Sequence, residues 1–143
     1  MRGILFFLLV VTSVSAADSR VRTKIPGGTV ILQPGYAPVA SSKQRAAFLR
    51  PNGEPAFESE IGASVAPRLT DQTIDRCRWW RKTWIHGRKV LMGISKDDDV
   101  ITVTVIGNPA QEGFKAANFY GEFEKVEEVG DVILIALSFE PAT

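Results

Sequence analysis

The chain has 143 residues, a formal net charge of +1, 45% hydrophobic and 23% charged residues, and a single cysteine, Cys77. That composition is ordinary for a globular chain and excludes a disordered or low-complexity one. One thiol cannot close an internal disulfide, so a disulfide-stapled miniprotein is excluded and stability must come from packing.

The chain begins with Arg2, an uncharged apolar run from Ile4 to Val11, and the small residues Thr12–Ala17. These are the three regions of a cleavable signal peptide. Val14 and Ala16 suit a cut after Ala16; Ser15 and Ala17 suit one after Ala17. The run falls short of the roughly 20 apolar residues that span a bilayer. We therefore expect a leader over residues 1–16, a polar arm over 17–24, and one domain over 25–143, long enough to bury a core. The expected location is secreted or periplasmic. The chain carries no Asn-x-Ser/Thr acceptor.

Beyond the leader, Pro26-Gly27-Gly28 predicts a turn and Thr29–Gln33 a short strand. Ser41 with Gln44 resembles a capping box and favours a short helix ending at Pro51. Asn52-Gly53 competes with it as a hairpin turn between Ala46–Arg50 and Ala56–Ile61; we read the helix. Asp71–His86 then predicts a helix capped by Asp71 and stopped by Gly87. Ile74, Cys77, Trp80, Trp84 and Ile85 would share its apolar face. Arg88–Ile94 and Val100–Ile106 read as a hairpin around a Ser95–Asp99 turn. Asn108-Pro109 opens a second helix, with Ala110, Phe114, Ala117 and Tyr120 as its stripe. The apolar run Val132–Phe139 reads as a central strand. Together these elements predict an α+β domain with helices packed on a mixed or antiparallel sheet.

Charge is segregated along the chain. Residues 18–92 hold thirteen Lys/Arg against six Asp/Glu, and residues 93–143 hold three against ten. Either the molecule is a strong dipole with a basic face, or its two halves pack together and neutralise each other.

The most unusual segment is Arg76–Lys89, with all three tryptophans, six Lys/Arg and no acid. Its candidate binding residues are Arg76, Arg78, Trp79, Arg81, Lys82, His86, Arg88 and Lys89. Cations attract carboxylate, sulfate or phosphate, and indole faces stack on rings or seat at interfaces. On a helix, Trp80 and Trp84 would face the core and Trp79 the solvent. The competing structural reading makes the tryptophans core and the cations a solvated rim.

Other candidates carry less. Asp97-Asp98-Asp99 lacks the spacing and glycine of a calcium loop and reads as a solvated turn. Cys77 reads as a small buried residue, and with His86 it has no zinc-motif spacing. Glu58 with Glu60, or Asp71 with Asp75, forms no more than a chance carboxylate pair. No cofactor or metal is expected, and catalytic residues are not identifiable. The sequence thus favours an exported, non-enzymatic binding protein whose partner is an anionic glycan, an anionic membrane surface or an acidic protein. Export disfavours nucleic acid. Two alternatives stand beside it: a small exported hydrolase with a site assembled only in three dimensions, and a protein–protein module or inhibitor.

Overall fold

The computed structural model describes residues 22–142; the expected leader lies outside them. Ten strands and two α-helices are formed there: β1 (Thr23–Ile25), β2 (Gly28–Val30), β3 (Ala37–Ala40), β4 (Arg45–Leu49), β5 (Pro55–Gly62), β6 (Trp79–Ile85), β7 (Arg88–Ile94), β8 (Val100–Ile106), α1 (Pro109–Glu112), β9 (Ala116–Glu122), α2 (Val126–Leu137) and β10 (Glu140–Pro141). A single 3₁₀ turn covers Ile74–Arg76.

Strand accounts for 44% of this structure and helix for 16%, which overturns the expected α+β domain with helices packed on a sheet. The architecture is sandwich-like. Seven strands form an antiparallel sheet in the order β3-β4-β5-β9-β8-β7-β6, and three form a small sheet in the order β1-β2-β10. The large sheet consists of two meanders, β3–β5 and β6–β9, joined where β5 pairs with β9. Thr23 and Lys24, expected at the end of the polar arm, pair with Val30 and Thr29 in the small sheet.

The period-two side-chain rule divides the large sheet into two faces. On the inner face lie Phe48, Phe57, Ile61, Phe119, Val103, Val105, Val90 and Met92, all buried. The small sheet contributes Ile25 and Val30 to the same core, and α2 with its exit contributes Val132, Ile135, Ala136 and Phe139. Phe48 stacks on Phe57 with centroids 4.4 Å apart, and Phe139 meets both Phe114 and Phe119 edge-on. Each such side chain contributes about 1.5–3 kcal/mol by leaving water.

Four expected elements change type, each for a physical reason. The expected helix over 71–86 is only a 3₁₀ turn followed by β6. Tryptophan, threonine and isoleucine are strand formers, and tertiary pairing with β7 overrides the helical spacing. His86 and Gly87 both adopt left-handed backbone, at φ 51° and 77°, so the expected helix stop is a two-residue hairpin turn. The expected helix after Asn108 starts as read, with the Asn108 side chain accepting from the Ala110 N–H at 3.1 Å. It stops at Gly113, and Ala116–Glu122 becomes β9. The run Val132–Phe139 is mostly helix, because its burial falls at Val132, Ile135 and Ala136, a helical period. Glu128 caps that helix by accepting from the Glu124 N–H at 2.7 Å. The short helix expected over 41–50 is replaced by strands, and Asn52-Gly53 makes the competing hairpin between β4 and β5. The strand expected over Thr29–Gln33 sits slightly earlier, at Gly28–Val30. The hairpin of β7 and β8 forms as read.

Candidate functional site

Among the described residues β6 is an edge strand, paired on one side only, and its alternation decides where the candidate side chains go. Trp79, Arg81, Thr83 and Ile85 share the side of Met92 and Val90. Trp80, Lys82 and Trp84 project from the opposite, outer face. Trp79 is half-buried against the core, whereas Trp80 is 38% and Trp84 66% exposed. This reverses the expected assignment, since a strand inverts the grouping that a helix would impose on Trp79, Trp80 and Trp84.

The outer face gathers Trp80, Lys82, Trp84 and Lys89. Trp84 sits directly across from Lys89, whose Nζ lies 5.9 Å from the indole centroid. The Lys82 Nζ lies 5.7 Å from the Trp80 ring. Both ammonium groups converge on one carboxylate. Lys82 Nζ is 2.9 Å from Asp71 Oδ1, and Lys89 Nζ is 2.6 Å from Asp71 Oδ2. Hydrogen bonds from Lys89 and then Lys82 hold the Asp71 carboxyl below its usual range.

The remaining candidates go elsewhere. Arg78 pairs with Asp99 at 2.8 Å and donates to the Ser95 and Asp98 carbonyls, so the aspartate run serves as a turn tied down by an arginine. Arg88 grips Glu112 of α1, with Nε 2.6 Å from its carboxylate. Arg81 lies 5.4 Å from the Trp79 ring and donates to the Trp80 carbonyl. Arg76 ends the 3₁₀ turn, and His86 is exposed at the hairpin tip.

Sequence reasoning read Asp71 as a helix cap and, with Asp75, as a chance carboxylate pair, and so missed its place between the two lysines. Its position is set by a buried polar network on the outer face. Asn118, fully buried on β9, accepts from the Arg68 N–H at 3.0 Å and from the Thr104 hydroxyl at 2.8 Å. Its amide nitrogen donates to Glu60 and to the Ala66 carbonyl. Thr104 accepts in turn from the Leu69 N–H at 3.2 Å. Arg68 pairs with Glu60 at 2.7 Å and lies 3.6 Å over the Tyr120 ring. Leu69 and Ile74 then close a small second core on Leu91. The loop from Ala63 to Arg78 is thereby fastened across the sheet, and Asp71 is presented to the lysines.

Cys77 is a half-buried free thiol whose burial pushes its pKa up, which keeps it a thiol. It packs over Gly93, where a Cβ would come within 2.7 Å of the sulfur. Between the fastened loop, β7 and α1 lies a groove of about 490 Å³, with Trp84, Asp71 and Lys89 on one side and Asn108 and Gln111 on the other. A second groove, of about 380 Å³ and largely apolar, runs between Trp79 and Ile94 and the α2 residues Val126, Val129 and Ile133.

Among the described residues no cluster of three or more His, Cys, Asp or Glu could hold a metal ion. No helix there is long and apolar enough to cross a membrane. Comparison with protein-family models, with curated proteins and with solved structures gives no match to this chain.

Proposed function

We propose that this chain is an exported, non-enzymatic binding protein that meets an anionic partner through the outer face of β6 and β7. One observation carries the reading: Lys82 and Lys89 aim their ammonium groups at a single carboxylate beside the exposed Trp84. Two converging ammoniums are a ready receptor for an anion, and an aromatic face beside them adds contact area at low entropic cost. Export rests on the leader pattern of residues 1–16. An exposed His86 at a hairpin tip lends the hydrolase alternative no support.

The test is a salt series. The secreted protein is titrated with a sulfated polysaccharide while tryptophan fluorescence is followed. Binding should weaken steadily with ionic strength. Replacing both Lys82 and Lys89 by alanine should cost at least about tenfold, since a hydrogen bond to a charged group contributes about 1.5–3 kcal/mol. Equal binding by the double variant would remove the reading.

A second reading, the protein–protein module, is favoured by the apolar groove and by Val126, which is 77% exposed at its rim. It predicts a complex that survives high salt and is lost on Val126→Glu.

A further inference from the structure

Resting on the anion-binding reading above, we propose that the groove beside Trp84 is a subsite for an acidic sugar ring, and that Asp71 is the carboxylate this ring displaces. A sugar presents two chemistries at once: a C–H-rich face and a periphery of hydroxyls. The first needs a flat aromatic surface with negative charge on its face, which an exposed indole supplies. The second needs planar donors and acceptors beside it. Trp84 forms one wall of the groove, and Gln72, Asn108 and Gln111 stand around its rim. The volume of about 490 Å³ lies in the range that holds small ligands, roughly 300–1,000 Å³.

The charge on the ring follows from the lysines. Asp71 places one carboxylate oxygen on each ammonium, so the pair already donates to both oxygens of a carboxylate. A uronate carboxylate or a sulfate ester offers the same oxygens. Asp71 is half-exposed, and an exposed ion pair is weakly held, so an incoming anion can take its place. Glu112, the other acid at the groove, is neutralised by Arg88 and does not repel the ligand. With Asp71 withdrawn, Lys82 and Lys89 face the ring's anionic group alone. Apart from Trp84, the polar side chains Gln72, Asn108 and Gln111 line this groove, which suits the hydroxyls of a sugar better than acyl chains.

The experiment titrates the secreted protein with a tetramer of α-1,4-linked galacturonate, following tryptophan emission. A neutral galactose tetramer, polyglutamate, and vesicles containing phosphatidylglycerol serve as comparisons. The galacturonate tetramer should bind and the neutral one should bind far more weakly. Trp84→Ala should cost about tenfold, the worth of one stacked aromatic face. Trp84→Phe should restore most of that loss. Asp71→Asn should tighten binding by up to about fivefold by removing the competing anion. If polyglutamate or vesicles bind through Lys82 and Lys89 while galacturonate does not, the sugar subsite is wrong and the anion-binding reading stands. If no anionic probe binds the folded protein at low salt, both are wrong. Weaker binding by Asp71→Asn would overturn the displacement of Asp71.

Discussion

Individual side chains show how burial decides what a polar group contributes. Asn118 uses both ends of its amide, accepting from Arg68 and Thr104 and donating to Glu60 and Ala66. Asn118→Ala would leave several of those groups buried without partners and should lower stability by about 3 kcal/mol, read as a shift in the urea midpoint. It should also loosen the loop that presents Asp71. Ser59 is the opposite case, with a buried hydroxyl that has no partner among the described residues. Ser59→Ala should therefore raise stability by about 1 kcal/mol in the same measurement, and a loss instead would mean that the hydroxyl is paired. Neither role was legible in the sequence. An isolated Asn or Ser gives no local sign of which strand face it occupies. The tryptophans illustrate the same limit. Their clustering with cations marks the segment as unusual, yet which of them meets solvent depends on strand against helix.

Among the secondary-structure elements, the sequence was legible wherever one pattern had no rival. Strict alternation in Val100–Ile106 and the following polar partners fixed β8, and Asn108-Pro109 fixed the start of α1. It failed where two periods fitted one stretch: the apolar residues of 74–85 satisfy a helical face, but the tertiary pairing of β6 with β7 decided otherwise. A continuous apolar run is equally ambiguous: Val132–Phe139 reads as a strand because the amphipathic stripe of α2 is blurred by Ile133 and Leu134. What docks α2 is in part a charge contact. Arg50, at the end of β4, holds Glu128 with Nε 2.6 Å from its carboxylate, and both side chains are largely buried. This bond from Arg50 holds the Glu128 carboxyl below its usual range. A carboxyl whose folded pKa is depressed stabilises fully above its unfolded value of about 4.3, and that stability is lost as pH falls through the folded value. Stability should therefore decline on acidification below about pH 4.3. Glu128→Gln should flatten part of that decline and cost about 2 kcal/mol at neutral pH, as followed by urea unfolding across a pH series. An unchanged acid limb in the variant would show that Glu128 does not carry it.

For the molecule as a whole, the segregation of charge along the chain resolves by interleaving. Arg22 meets Glu140, Arg50 meets Glu128, Arg78 meets Asp99 and Arg88 meets Glu112, each joining the basic half to the acidic half. The pairing of β5 with β9 brings the halves together, and no local pattern in the sequence announces that pairing. Of the two readings of the charge pattern, neutralisation thus accounts for these four arginines. Arg81 and Lys82 fall outside that exchange, in the middle of an edge strand. An edge with unpaired backbone groups recruits further strands unless charge or proline opposes them. The far edge, β3, contains Pro38, which lacks an N–H to offer. The β6 edge has no proline and relies on its two cations. Replacing Arg81 and Lys82 together by threonine keeps strand propensity and removes that charge. The double variant should self-associate at concentrations where the parent sediments as a smaller species, with the gain reversed by restoring either cation. An unchanged sedimentation profile would show that the cations are not what protects this edge.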